Sequence, residues 1–486
     1  MTHREASIAL RRFGLGPRRG DLARIAGDPR GYVLAALADK RGAIIEDGEL
    51  EPSHVSYLAL RTAQREQSAA RKMLLEVGKD AAGAEQPPAA EAAKPDTPKP
   101  GEVRREVLRE EIRVRLERAA TTDQPFLERL VYFWSNHFCV SAIKGQLVRV
   151  MAGAFEREAI RPHVLGRFAD MLKAVEQHPA MLIYLDNAQS IGPNSPAGRN
   201  RGKGLNENLA REILELHTLG VAGGYTQADV TSFAGIITGW SVADPQMAAN
   251  VAANPRLAAQ FAGEDLVPGR FVFLPNRHEP GAFTVLGKRY EDRGVRTGEE
   301  VLADLARHSA TARHIATKLA RHFVADRPPP ELVDRLAATF RSTDGDLAAL
   351  ARTLATSPEC WTVAPRKVVP PHDFVVSLIR AFDLKLRPPE AMRIAAAIGQ
   401  PLWSPPSPKG WPDDDDAWMG PSAVRERLRI AERVARDVDR NLDPRAAAAD
   451  LVGDALSDAA RLAIERAEVR EQGFELLAMS PEFLRR

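Results

Sequence analysis

The chain has 486 residues, 44% of them hydrophobic and 27% charged, with a net charge of +2; it can bury a core and carries no broad nucleic-acid footprint. Two cysteines, Cys139 and Cys360, are too few for a disulfide framework or a thiolate metal site. No stretch approaches the ~18 apolar residues of a membrane span, and no apolar signal run opens the chain, so a cytoplasmic protein is expected.

Residues 5–12 read as a short helix stopped by Gly14, Gly16 and Pro17 of RFGLGP. A helix pair over 21–26 and 29–39 follows, then a long helix over 51–77 with Leu58, Leu60, Met73, Leu74 and Leu75 as apolar positions. Residues 80–101 hold alanine, proline and charge but no large apolar side chain; burial cannot offset ordering entropy there, and a disordered linker is expected. The spacing predicts a charged helix over 102–119. The next one, 124–138 (QPFLERLVYFWSNHF), leaves little polar surface and should be central. Ser135, Asn136 and His137 end it, either as capping and core groups or as a site mounted on rigid scaffold.

Helices over 146–160, 164–177 and 179–185 lead to Asp186 and Asn187. The loop 191–204, with Arg199, Arg201 and Lys203, reads as a flexible surface loop; an anion at the next helix start is the other reading, without P-loop order to support it. Residues 206–220, NENLAREILELHTLG, separate cleanly at 3.6 residues per turn. Leu209, Ala210, Ile213, Leu214 and Leu216 share a side with His217, opposite Glu207, Asn208, Arg211, Glu212, Glu215 and Thr218. That polar side is either a solvated face with i,i+4 pairs or a cleft wall of acid/base or metal-binding groups. Gly220 is a natural stop, and Thr226-x-x-Asp229 is a capping box for the helix after it, over 228–240.

Short strands over 269–274 and 282–286 flank a hairpin-like loop with His278 and Glu279, where the histidine is exposed or reaches back to the cleft. A helix over 311–323 turns His314, Lys318, Arg321 and His322 away from its apolar side. Residues 400–420 form a proline-rich strap that Trp403, Trp411 and Trp418 can anchor on a core. Its four consecutive acids, Asp413–Asp416, point in divergent directions, which suits a turn or helix start better than a metal site. The fold class expected is mainly α, a large irregular multi-helix bundle with at most a small β-hairpin and long loops. Its divisions are an N-terminal helical segment 1–79, the linker 80–101 and a main helical body 102–486 with an insertion 241–295 and the strap 400–420.

Motifs spread along the chain, among them RFGLGP, FWSNHF, HPAMLIYLDNAQS, NENLAREILELHTLG, GGYTQADV, TARHIATKLARHFV and PLWSPPSPKGWPD, resemble a bacterial family catalogued as domain of unknown function 1800. The resemblance covers nearly the whole chain and implies a largely helical protein without implying a reaction. Many relatives look exported and often accompany a sulfatase- or phosphatase-like family, which such a companion protein here would match. The family signature falls on Asn136, His137, Asp186, Asn187, Glu207, Asn208, Arg211, Glu212, Glu215 and His217, and on Tyr225, Thr226, His278 and Glu279.

Two functions fit these residues. One is a hydrolase acting on a polar or glycan-like substrate, with Glu212 or Glu215 as general base and His137 or His278 as partner acid or metal ligand. Arg211 would hold a developing anion, while Asn136, Asp186, Asn187, Asn208 and Tyr225 bind substrate. A Glu/His/Asp set without thiolates leaves room for a divalent metal, although no HExxH motif is present. The other is a non-catalytic binding or assembly protein whose polar motifs are structural networks. Convergence of His137, Glu212, Glu215 and His278 on one solvent-reaching cavity separates them.

Overall fold

The computed structural model describes residues 3–80, 98–199, 205–258, 261, 266–362, 364 and 366–486. The linker expected over 80–101 lies outside the described residues except at its edges, as do Arg201 and Lys203 of the 191–204 loop. The fold is mainly α, and no helix among the described residues is long and apolar enough to cross a membrane. Helix starts follow local chemistry: Thr226 and Asp229 form a reciprocal capping box, and Asp28, Asp346 and Asp443 each accept from first-turn N–H groups.

One hydrophobic cluster runs through the molecule. Leu10 and Phe13 from the N-terminal segment, Phe126 and Phe133 from the middle and Leu477 from the C-terminal helices belong to it. The Pro125–His137 helix is buried along almost its whole length, as its sequence requires. What it carries inward includes charge. Glu128 and Arg129 are 1% and 2% exposed, which a helix interior tolerates only with partners in place.

Those partners come from distant parts of the chain. Arg161, fully buried, places Nη1 and Nη2 on the two Glu128 oxygens at 2.8 and 2.9 Å, and its Nη2 also lies 2.9 Å from Glu156. Arg115 reaches the same Glu156 carboxylate from the Pro100–Thr121 helix, 2.9 Å away, and the Ser135 hydroxyl donates to it at 3.1 Å. Burial pushes the Glu156 carboxyl up, but Arg115 and Arg161 outweigh burial and hold it down at about 2. A second chain of charge joins Arg129 to Asp373 at 2.9 Å and Asp373 to Arg486 at 3.0 Å, closing the end of the chain onto the central helix.

The strands differ from the sequence pattern. Phe271–Phe273 pairs antiparallel with Trp240–Val242, and Phe283–Val285 pairs with Lys288–Tyr290, so the two expected strands belong to separate two-stranded sheets. The cause is a tight turn. Leu286 and Gly287 take positive φ values of 52° and 78°, the handedness of a two-residue hairpin loop, which folds 283–285 back on the segment just after it. Trp240 likewise leaves the helix expected over 228–240, which ends at Ile236; Gly239 at φ 81° starts the strand.

Arg161→Leu is expected to lower the free energy of unfolding by about 3–5 kcal/mol, because it strips Glu128 and Glu156 of a shared partner without returning water to them. Urea unfolding checks this; a midpoint equal to wild type would show that the buried pairs do not bear on stability.

Candidate functional site

The helix that starts at Asn208 does not keep 3.6 residues per turn. From Ile213 to Thr218 it widens to π pitch: Leu219 N–H bonds the Leu214 carbonyl, and the Thr218 hydroxyl donates to the Ile213 carbonyl at 2.6 Å. The extra residue in the turn swings His217 into the core. There its Nδ1 meets Oε1 of Glu176 at 2.7 Å, with the two residues 1% and 0% exposed. His137 Nε2 lies 3.1 Å from the His217 carbonyl, and His314 Nε2 lies 3.0 Å from the Leu216 carbonyl.

A carbonyl only accepts, so His137 and His314 carry their protons on Nε2 and keep a lone pair on Nδ1. His217 donates through Nδ1 to the Glu176 carboxylate, leaving its buried Nε2 without a hydrogen bond; His137 Nδ1 is also unbonded. Burial, with Lys318 adding to it, holds the His137 ring well below the ordinary histidine range and brings His314 down to about 4. Lys318 is half-buried, makes no ion pair among the described residues, and is lowered by burial to about 8.

Glu212 stands next to this group. It is half-buried and makes no hydrogen bond or ion pair among the described residues, and burial, reinforced by Glu215 and Glu176, raises its carboxyl above the usual range against the pull of His217 and Arg211. Glu212 is felt by the Cys139 thiol, which burial pushes up to about 12, and by the Tyr184 hydroxyl, also raised by burial. Glu215 is taken by the Tyr225 hydroxyl at 3.0 Å. Arg211 is held by Glu207 at 2.9 Å and by Gln227 at 2.8 Å.

The other expected site residues go elsewhere. Asn136 clamps the strap, its Oδ1 accepting from Trp411 N–H at 2.7 Å and its Nδ2 donating to the Trp411 carbonyl at 3.0 Å. Asp186 adopts φ 60° and pairs with Lys144, and Asn187 is buried, donating to the Ile237 and Trp240 carbonyls. Asn208 is exposed. His278 is not an exposed loop group: it is 8% exposed, with Nδ1 3.0 Å from the Thr238 carbonyl and Nε2 3.2 Å from Asp292, and none of these partners neighbours Glu212. Glu279 accepts from Asn194 and packs on Gly192, tying down the described part of the 191–204 loop.

The strap lies along the end of the central helix in opposite chain sense. Ala142 N–H bonds Trp403 O at 2.7 Å, Ser141 Oγ bonds Pro405 O at 2.8 Å, the Cys139 thiol reaches Pro408 O at 3.2 Å, and Asn136 holds Trp411. Gly410, at φ 84°, lets the chain pass so close to Asn136 that a Cβ there would sit 2.4 Å from its carbonyl. Asp413 then ends the strap in a buried network: His322 Nδ1 is 3.1 Å away, Lys367 donates to the Asp413 carbonyl, and burial is outweighed by His322, Lys367 and Lys318, which hold the carboxyl at about 2. Asp415 instead accepts from Val368 N–H at 2.8 Å, so the acids do diverge.

The model of the family described as "Protein of unknown function (DUF1800)" matches residues 8–485. The chain belongs to that family. No curated protein matches it, and no solved structure does. In this family member the residues that sequence reading passed over are Glu176, His372 and the buried charges Glu128, Arg129, Glu156 and Arg161. The signal available for them was charge inside apolar helices, as at Glu128-Arg129. Among the described residues no group of three or more His, Cys, Asp or Glu side chains is placed to hold a metal ion.

The histidines set a pH dependence. His137, His314 and His372 all bind a proton less readily folded than unfolded, so the unfolded chain gains protons first as pH falls. Their stabilising contribution is complete above about 6.5 and is lost as pH drops below it, for His314 down to about 4. Thermal midpoints measured across this range should fall in acid, and His314→Gln should flatten that fall; an unchanged slope would contradict the assignment.

Proposed function

We propose that this protein is an acid–base enzyme, a hydrolase acting on a polar or glycan-like substrate, with Glu212 as the group that transfers the proton. The observation that carries the reading is a half-buried glutamate with no bonded partner and a raised carboxyl, beside a buried carboxylate–imidazole pair. In this reading Glu212 keeps its proton to a higher pH than an ordinary glutamate and delivers it to a leaving group. Glu176 fixes the ring of His217, whose free Nε2 is a proton acceptor on the inner side. His137 is a positioning residue, acting through the His217 backbone carbonyl. Arg211, bound to Glu207, and Glu215, bound to the Tyr225 hydroxyl, flank Glu212 along the same helix, where Asn208 is exposed. His278 stands outside this centre.

A second reading has its own support. Asn136, Asn187, His278 and Glu279 are held by backbone or strap groups, as expected of structural networks in a binding or assembly protein. A companion of the sulfatase- or phosphatase-like class would then dock on the folded body rather than feed a cleft.

Glu212→Gln separates the two. A raised carboxyl means that the folded state favours the protonated form, so stability is lost as pH rises through the folded value. The neutral glutamine should therefore be at least as stable as wild type at neutral pH, with the difference closing in acid. Hydrolysis of chromogenic glycosides, esters and phosphate esters, with and without chelator, should show turnover by wild type and a loss of about 10²-fold or more in the variant. Absence of turnover across the panel, or an active Glu212→Gln, would contradict the enzyme reading.

A further inference from the structure

Beneath the strap lies a cavity of about 100 Å³, between the Pro125–His137 helix and residues 400–413. It is lined largely by apolar groups, among them Val140, Phe155 and Leu402, and by the charged groups Arg115, Glu156, Asp373 and Asp413. Every one of those charges already has its counter-charge. Arg115 is bound to Glu156, Asp373 to Arg129 and Arg486, and Asp413 faces Lys367 at 4.0 Å and Arg486 at 3.8 Å. A charged ligand entering here would lose its hydration without meeting a free opposite charge.

What remains unsatisfied in the lining lies outside the arginine and carboxylate pairs. The Tyr132 hydroxyl, the His322 Nε2 and the Trp403 indole N–H are buried atoms without a hydrogen bond, and Tyr132 and His322 are 8% and 7% exposed as residues. His322 gives its Nδ1–H to Asp413 and presents Nε2 to the lining; the indole only donates; the phenol does either. A buried polar group left unbonded is costly, so a ligand that supplies both donors and acceptors gains what the protein alone forgoes. Two half-exposed rings, Trp403 and Trp411, stand on the lining beside them, and Arg115 is fixed between the faces of Tyr132 at 4.2 Å and Trp403 at 5.8 Å.

We infer that the strap cavity binds a neutral sugar residue. The volume of this half-open cavity is about two thirds of the ~150 Å³ that admits a benzene ring, so one hydroxyl-bearing edge enters and the apolar face of the ring rests on the half-exposed tryptophans. Hydroxyl groups, which donate and accept alike, are the ligand chemistry that bonds His322 Nε2, accepts from Trp403 and does either with Tyr132. The site is separate from Glu212, which does not line it, although Cys139 lines the cavity and feels Glu212.

The test titrates glucose, galactose and mannose into the full chain, with glucuronate and glycerol as controls, and follows tryptophan fluorescence and thermal midpoint. A saturable signal with at least one neutral hexose is expected, with glucuronate at least about tenfold weaker and glycerol giving none. Tyr132→Phe keeps the ring and removes only its hydroxyl, while Trp403→Phe keeps an aromatic ring but removes the indole N–H with the five-membered part; each should weaken binding about three- to tenfold. Glu212→Gln should bind as wild type; sugar binding with no turnover by the wild-type chain would fail the catalytic reading alone, and turnover with no sugar binding would fail this inference alone. No saturable signal with any neutral hexose, equal binding of glucuronate, or unchanged affinity in both conservative variants overturns the inference.

Discussion

Charge placed inside an apolar helix has to be met there, and meeting it organises this fold. Glu128 on the central helix is bound by Arg161, Arg161 is shared with Glu156, and Glu156 is shared in turn with Arg115 and Ser135. Each link joins a different stretch of chain, so the pairs fix the relative position of helices that hydrophobic packing alone would let slide. Arg115 goes on to donate to His372 Nε2 at 2.9 Å, which makes that buried ring an acceptor and keeps it neutral. The same logic runs from Arg129 through Asp373 and Arg486 toward Asp413. A buried pair of this kind adds little net stability over apolar residues of the same shape, and it is costly to break. Its effect is to select one arrangement.

Against that background Glu212 is the exception. Glu156 and Glu212 are both glutamates removed from bulk water, one with two arginines and one without a bonded partner. The first is driven down to about 2 and the second is raised. Environments that push like groups apart are how a protein obtains an acid and a base from one residue type. The π-pitch turn makes the difference local: it brings His217 to Glu176 and leaves Glu212 beside that pair without joining it.

Much of the helical architecture was legible in the sequence, since periodicity, caps and proline punctuation act locally; the capping box at Thr226 and the central place of 124–138 are examples. The strand pairing was not, because the positive φ at Leu286 that turns the hairpin belongs to a residue without a glycine's signature. At the site, the motif around Glu212 was readable as a crowded polar face, but its partner Glu176 lies on another helix and no spacing rule links the two. The π turn also escaped a reading at 3.6 residues per turn, which put His217 among apolar side chains without supplying the carboxylate it needs. Asn136 carried a site-like signature for a mechanical reason: it holds the strap's Trp411 by both sides of the peptide.

The most direct test of this account is a carbon-13 titration of selectively labelled glutamate carboxyls, with Glu156→Gln and Glu212→Gln used to assign the two signals. Glu212 should titrate above the ordinary glutamate value of about 4.3, while Glu156 should remain ionised down to about 2. A Glu212 carboxyl that titrates at or below the ordinary value would mean that a cation satisfies it, and the proposed acid–base centre would be contradicted.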